Sequence, residues 1–254
     1  MFPLRDENPT ELRPFVTVAL IAINLLVWIT VQGMGQGQVF LDSLCTFGSI
    51  PGELTGALAP GAGVDLGGHA CRTGGRTWST VVTSMFMHGS WMHLIGNMWF
   101  LWVFGNNIED SMGHVRFAVF YLLAGGLAAG AHVLTDPMSA IPIVGASGAI
   151  SGVMGAYLVL YPRVRVHTLI FLLVFIRVVP LRAWVLLVYW FVIQLASGAA
   201  ALGVTGGGVA FWAHVGGFVA GLVLIKPFAR RALVAAKRAG KLLTPEEVRD
   251  LGWF

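Results

Sequence analysis

Apolar residues along the chain gather in six long runs, at 14–33, 84–106, 115–135, 147–161, 182–201 and 209–226, separated by shorter polar or glycine-rich breaks. A bilayer core about 30 Å thick takes about 20 helical residues to cross. The runs therefore predict six membrane-spanning helices and an all-α membrane protein. Residues 1–13 read as a polar N-terminus, 14–226 as the six-helix membrane domain, and 227–254 as a basic tail. The glycine- and proline-rich stretch 34–80 reads as a long external loop. Inside the tail, LTPEEV at 243–248 has the signature of a short capped helix: Thr244 as N-cap, Pro245 at the first position, Glu247 at the third.

One run is ambiguous. VHTLIFLLVFI, 166–176, is apolar but too short for a span, and charge decides how it is counted. With six spans, 14 of the 16 Lys and Arg residues fall on one side, and only Arg72 and Arg76 on the other. The positive-inside rule then puts both termini in the cytoplasm. A seventh span would send the basic tail outside, so 166–176 is expected to be a re-entrant or interfacial hairpin arm.

Composition agrees: 56% of residues are hydrophobic and 11% charged, against roughly 25% charged in soluble domains. The net charge of +4 comes mostly from residues flanking the spans, so it reads as a topology signal and not as a nucleic-acid surface. The expected partners are the lipid bilayer and other membrane proteins, with no nucleic acid. The two cysteines, Cys45 and Cys71, both lie in the external loop. They form a disulfide if that loop faces an oxidising compartment and two free thiols otherwise, and the sequence leaves both open. No spacing suggests a metal site, and no cofactor is expected.

Small residues recur four apart. Gly126 and Gly130 lie on the third span, Ser147, Ser151 and Gly155 on the fourth with Gly148 and Gly152 beside them, and Gly217 and Gly221 on the sixth. Such ridges let helix backbones approach closely in lipid. For Gly126 and Gly130 packing is the whole expectation; on the fourth and sixth spans close approach also serves chemistry.

Polar residues inside a span are costly and need a reason. His93, Asn97, Ser147 and His214 stand out. Counting up from the cytoplasmic ends at about 1.5 Å per residue puts His93, Ser147 and His214 roughly 18–21 Å deep, within about one helical turn of one another. The fourth run is short, about 22 Å as a helix, so the loop DPMSAIPIVGA must dip in to meet it. Irregular backbone at that depth requires burial in protein or a water-filled cavity. Ser147 is accordingly expected on the floor of an aqueous pocket open to the outside. Taken singly, Ser147 reads as an N-cap, His214 as a packing histidine and Asn97 as interhelical glue. Together they supply a nucleophile, a base and N–H donors. Gly145 allows the tight turn before Ser147.

These residues fall into three motifs: HLIGN at 93–97, GASG at 145–148 and AHVGGFVAG at 213–221. In order, spacing and helix placement they resemble the rhomboid intramembrane serine proteases, and PLRDENPT near the N-terminus is similar to bacterial members. The resemblance implies a dyad without aspartate, Ser147 as nucleophile and His214 as general base. It implies an oxyanion hole from His93, Asn97 and the Ser147 N–H, supported by Gly145, Gly148, Gly217 and Gly221. His88 matches a family histidine with a more structural role, and Glu109 a family glutamate at the cytoplasmic end of the second helix. Read from its own surroundings, Glu109 is an ordinary solvated acid. Two features depart from the pattern. Ser151 stands where some members stack an aromatic ring on the catalytic histidine, so packing, a hydroxyl or water must orient His214. Trp78 is out of register with a family Trp-Arg pair.

The expectation is a peptidase that cleaves transmembrane segments of other proteins, in a bacterial plasma membrane, with its site open to the extracytoplasmic side. The glycine-rich loop GVTGGGVAF is expected to border a lateral opening. The rivals are a catalytically inactive rhomboid-like protein that binds clients, and a transporter whose polar cluster lines a pathway.

Overall fold

Helices dominate the computed structural model, which describes residues 1–65, 70–72, 74, 78–172, 175–202 and 209–239. Six of them correspond to the six apolar runs: α1 (Phe15–Thr30), α5 (Trp91–Met112), α6 (His114–Thr135), α7 (Ser147–Leu160), α8 (Ala183–Ala200) and α9 (Phe211–Phe228). The segment between α1 and α5 carries three short helices, α2 (Gly37–Phe47), α3 (Pro51–Leu54) and α4 (Ser79–Thr83). It also carries a two-stranded hairpin, β2 (Gly63–Asp65) with β3 (Ala70–Arg72). A final helix, α10 (Arg231–Arg238), follows α9. By length and composition α6, α8 and α9 can cross a membrane; α1 and α7 are apolar but shorter.

The all-α expectation is corrected at two places, the β2–β3 pair and a larger sheet. The larger one is three-stranded and antiparallel, β1 (Phe2–Asp6), β4 (Arg165–Leu172) and β5 (Phe175–Arg182), in the order β1-β4-β5. The ambiguous run 166–176 is thus a β-hairpin, with Arg165 opposite Arg182 and Leu172 opposite Phe175. Branched and aromatic side chains favour a pleated surface over a helix of this length. The sheet stands beside α5. Asp6 accepts a hydrogen bond from Asn107 (2.8 Å), and Pro3 accepts one from the Trp99 indole (2.6 Å). The Phe2 ring packs 5.5 Å from Trp99.

α7 is the hub. Gly148 to Tyr157 are all buried, against the glycine faces of α9 and the alanines of α6. A Cβ at Gly152 would press on Ala124, and one at Gly155 would overlap the backbone of Phe218. Gly126 and Gly130 are corrected: nothing lies within 4 Å of a Cβ at either. The packing face of α6 is instead Ala124, Gly125, Ala128 and Ala131, one position round the helix. Phe104, Phe117, Phe120, Tyr121, Tyr157 and Phe218 fill the core around α7.

The second span continues six residues beyond the expected end at 106. Its last turns carry Asn107, Glu109, Asp110 and Ser111, all buried. Both carboxylates find partners inside the protein. Glu109 is fully buried and caps α1, which has no N-cap side chain of its own. Its carboxylate accepts from the Val16 N–H (2.9 Å), the Thr17 N–H (2.8 Å) and the Thr17 hydroxyl (2.7 Å). Asp110 accepts from the Glu11 and Leu12 N–H groups and pairs with Lys237 of α10. An ionised carboxylate at a helix N-terminus satisfies orphan donors and the helix dipole together. The solvated reading of Glu109 is therefore corrected, and the start of the tail is pinned. Arg238 donates to the carbonyls of Leu160 (2.9 Å) and Val159 (3.0 Å), covering the C-terminal end of α7. The motif at 243–248, His69, Arg76 and loop residues 203–208 lie outside the described residues.

Candidate active site

The segment before α7 is held by backbone hydrogen bonds. Ser49 and Ile143 exchange two of them (3.0 and 2.7 Å), and the Gly145 N–H donates to the Ser84 carbonyl (2.9 Å). Gly145 then turns with φ +127°, a conformation side chains rarely adopt, and a Cβ there would strike the His93 ring. Glycine is thus required twice over. The turn delivers Ser147 at the first helical position, half-buried. Its hydroxyl does not cap the helix. It lies 2.8 Å from His214 Nε2 on α9.

That approach depends on bare backbones. A Cβ at Gly217 would overlap the carbonyl of Gly148, and one at Gly221 the carbonyl of Gly152. A Cβ at Gly148 would meet Ala128 of α6 at 2.7 Å. The α7 and α9 axes are therefore closer than any side chain permits. Ser151 faces the same side as Ser147, but its hydroxyl donates to the Ser147 carbonyl (2.6 Å) and does not reach His214.

His93 and Asn97 sit one turn apart on α5. Ser90 caps that helix by accepting from the His93 N–H (3.1 Å). The Gly89 N–H donates to His93 Nδ1 (3.4 Å), so the proton of the neutral ring belongs on Nε2, the ring nitrogen on the Gly145 side. The Asn97 Nδ2 group is buried without a hydrogen-bond partner. His93 Nε2 thus lies beside the turn that leads into α7, and Asn97 follows one turn further along α5. His88 is fully buried and packs edge-on to His93, with ring centroids 5.1 Å apart. Its own peptide is clamped by Gln32, whose amide donates to the His88 carbonyl and accepts from its N–H, both at 2.8 Å.

Sequence reasoning missed Gln32 and three residues around His214. Gln194 of α8 is buried, and its Oε1 lies 2.8 Å from His214 Nδ1. The Trp190 ring, one turn before it, lies 5.9 Å from the His214 ring at a 36° tilt, and Phe211 approaches edge-on at 6.5 Å. The aromatic surface missing at position 151 is therefore supplied from α8. A signal did exist: Gln194 is the one amide in an otherwise apolar helix.

Cys45 and Cys71 are joined as a disulfide between α2 and β3, with Cα atoms 5.3 Å apart. Trp78 is largely exposed. Two cavities of about 640 Å³ lie at the far end of α7, about 20 Å from Ser147. One is lined by Leu160, Lys226 and Arg238, the other by Glu7, Tyr161 and Lys237. Among the described residues, no group of three His, Cys, Asp or Glu side chains is arranged to hold a metal ion.

The site is thus a serine hydroxyl hydrogen-bonded to an imidazole, carried by two apolar helices of a membrane protein. The Rhomboid domain family matches residues 75–231, more than half of the chain, and the chain belongs to that family. It is 30% identical over 148 residues to the yeast (Saccharomyces cerevisiae) mitochondrial Rhomboid protein 1, covering 57% of this chain and 40% of that protein. It is 30% identical over 146 residues to the Rhomboid protease GluP of Bacillus subtilis, covering 58% of this chain and 24% of that protein. To the mouse (Mus musculus) mitochondrial Presenilin-associated rhomboid-like protein it is 34% identical over 106 residues, 38% of this chain and 26% of that protein. The matches thus span well under half the length of these relatives.

Proposed function

We propose that the protein is an intramembrane serine endopeptidase that cleaves transmembrane segments of other membrane proteins. The observation that carries this is the 2.8 Å contact between Ser147 Oγ and His214 Nε2, made by two helices that only glycine backbones can bring together. Ser147 attacks the scissile carbonyl carbon while His214 Nε2 takes its proton. Base assistance of this kind is worth roughly 10²–10⁴-fold in rate. The oxyanion is met by His93 Nε2–H, Asn97 Nδ2–H and the Ser147 N–H. His214 then protonates the departing amine, and water releases the acyl group by the reverse sequence.

Six spans, cytoplasmic termini and a site open to the extracytoplasmic side complete this reading, with a bacterial plasma membrane as its setting. The charge asymmetry supports that orientation, with 14 of 16 basic residues on the tail side. Substrates must present an extended segment, because a helical carbonyl is hydrogen-bonded and shielded.

The test is cleavage of a single-span substrate in proteoliposomes by wild type, Ser147→Ala and His214→Ala. Cleavage by wild type alone is expected. Client binding without cleavage by any of the three would replace the enzyme with the inactive, client-binding reading. Solute flux that survives Ser147→Ala would favour the transporter.

A further inference from the structure

We infer that Gln194 is a positioning residue for the dyad, making the working unit Ser147–His214–Gln194 on three separate helices. The inference rests on the proposed Ser147–His214 pair. A general base must offer a lone pair to the serine hydroxyl, so Nε2 of neutral His214 has to be bare and the proton has to sit on Nδ1. Something must hold that proton there. The carbonyl oxygen of an amide is an acceptor only, and Gln194 Oε1 lies 2.8 Å from Nδ1. The bond selects the tautomer, sets the ring plane and stabilises the imidazolium that forms when Ser147 gives up its proton. In proteases with an aspartate, the carboxylate does this work. Here a neutral amide does it, without placing a charge in an apolar setting.

The burial of Gln194 otherwise has no explanation. It is 8% exposed, on a helix whose other inward residues are small or apolar. A buried amide without a partner costs roughly 1–3 kcal/mol, and His214 is the partner its Oε1 has. The ring is confined on its other sides by Trp190 and Phe211. The titratable groups that His214 feels are His93 and His132, and neither is a carboxylate.

The seat of α8 is part of the device. Gly198 lies one turn after Gln194 on the same face, and a Cβ there would press on Phe211 and Trp212 at 3.3 Å. A bulky residue at 198 would lift Gln194 away from His214 without touching the ring itself.

The experiment compares wild type, Gln194→Leu, Gln194→Glu, Gly198→Leu and the double variant Gln194→Leu/Gly198→Leu in proteoliposomes. It measures kcat and KM against pH, the rate of fluorophosphonate labelling of Ser147, and thermal unfolding in detergent. Gln194→Leu is expected to lower kcat and the labelling rate by about 10- to 100-fold, the usual cost of losing an orienting partner, with KM unchanged. Gln194→Glu is expected to recover much of the rate, with the acid limb of the kcat/KM profile moved to higher pH, because a carboxylate beside the ring favours imidazolium. Gly198→Leu is expected to slow wild type and leave Gln194→Leu no slower.

A labelling rate in Gln194→Leu within twofold of wild type would overturn the inference. So would a Gln194→Glu profile that does not shift, and this readout decides alone if Gln194→Leu does not fold. Activity that survives Ser147→Ala would instead overturn the dyad, so the two failures are distinguishable.

Discussion

Asn97 offers a perturbation in which activity and stability should part company. Its Nδ2 group is buried and donates to no other group of the protein. An unsatisfied buried donor costs roughly 1–3 kcal/mol, so the fold holds it at a loss. An oxyanion would supply the missing acceptor, and removing one such donor typically costs about 10²–10³-fold in kcat, or about 2.7–4 kcal/mol of transition-state stabilisation. Leucine has nearly the shape of asparagine and no donor. Asn97→Leu is therefore expected to lower kcat about 10²–10³-fold while leaving unfolding unchanged or up to about 2 kcal/mol more favourable to the fold. Cleavage kinetics in proteoliposomes give the first quantity and unfolding in a detergent series gives the second. A variant that loses stability and keeps kcat within threefold of wild type would mean that Asn97 is structural glue between helices, and the oxyanion assignment would fail.

Glu109→Ala leaves the first turn of α1 uncapped and removes three donors' common acceptor. It should cost about 1–3 kcal/mol, the penalty for leaving buried donors without an acceptor, and a loss under about 0.5 kcal/mol in the same unfolding assay would refute the capping role. Gly221→Leu should separate α7 from α9, since even a Cβ overlaps the Gly152 carbonyl. The expected result is loss of fluorophosphonate labelling together with a lower unfolding temperature, and an unchanged labelling rate would contradict it. Asp6 gives a pH dependence. Burial pushes its carboxyl up from 3.8 to about 6, against the lowering effect of the Tyr157 hydrogen bond (2.5 Å). The folded state therefore holds the proton more tightly than the unfolded chain does, so this contribution is full below about pH 4 and is lost as pH rises through about 6. The loss is about 3 kcal/mol at most. Unfolding measured from pH 4 to 8 should show the decline, and Asp6→Asn should flatten it.

Most of the long helices were legible because lipid imposes a single requirement, long apolar runs, and all but α5 begin and end within three residues of theirs. Ser147 and His214 were legible for the complementary reason: polar groups at such depth need partners, and these two meet, with the His93 ring beside Gly145. Legibility failed where polar or apolar character was satisfied by a distant segment. Glu109 read as a solvated acid because the groups it bonds to lie some 90 positions away in the chain. The 165–182 hairpin pairs with residues 2–6, a contact no local pattern encodes. Gln194 was passed over because one amide in an apolar span carries no spacing signal. Its meaning appears only once α8 is laid against His214. The ridge at Gly126 and Gly130 misled in the other direction, because four-residue spacing marks a possible contact face without saying which face is used.

The most direct measurement is the site and rate of a covalent adduct. The purified protein is treated with a fluorophosphonate, and intact mass and peptide mapping follow the adduct in wild type and His214→Ala. One adduct on Ser147, formed at least 100-fold more slowly in His214→Ala, is the outcome that an imidazole-activated hydroxyl requires. An adduct on another residue, or one on Ser147 forming at the same rate without His214, would contradict it.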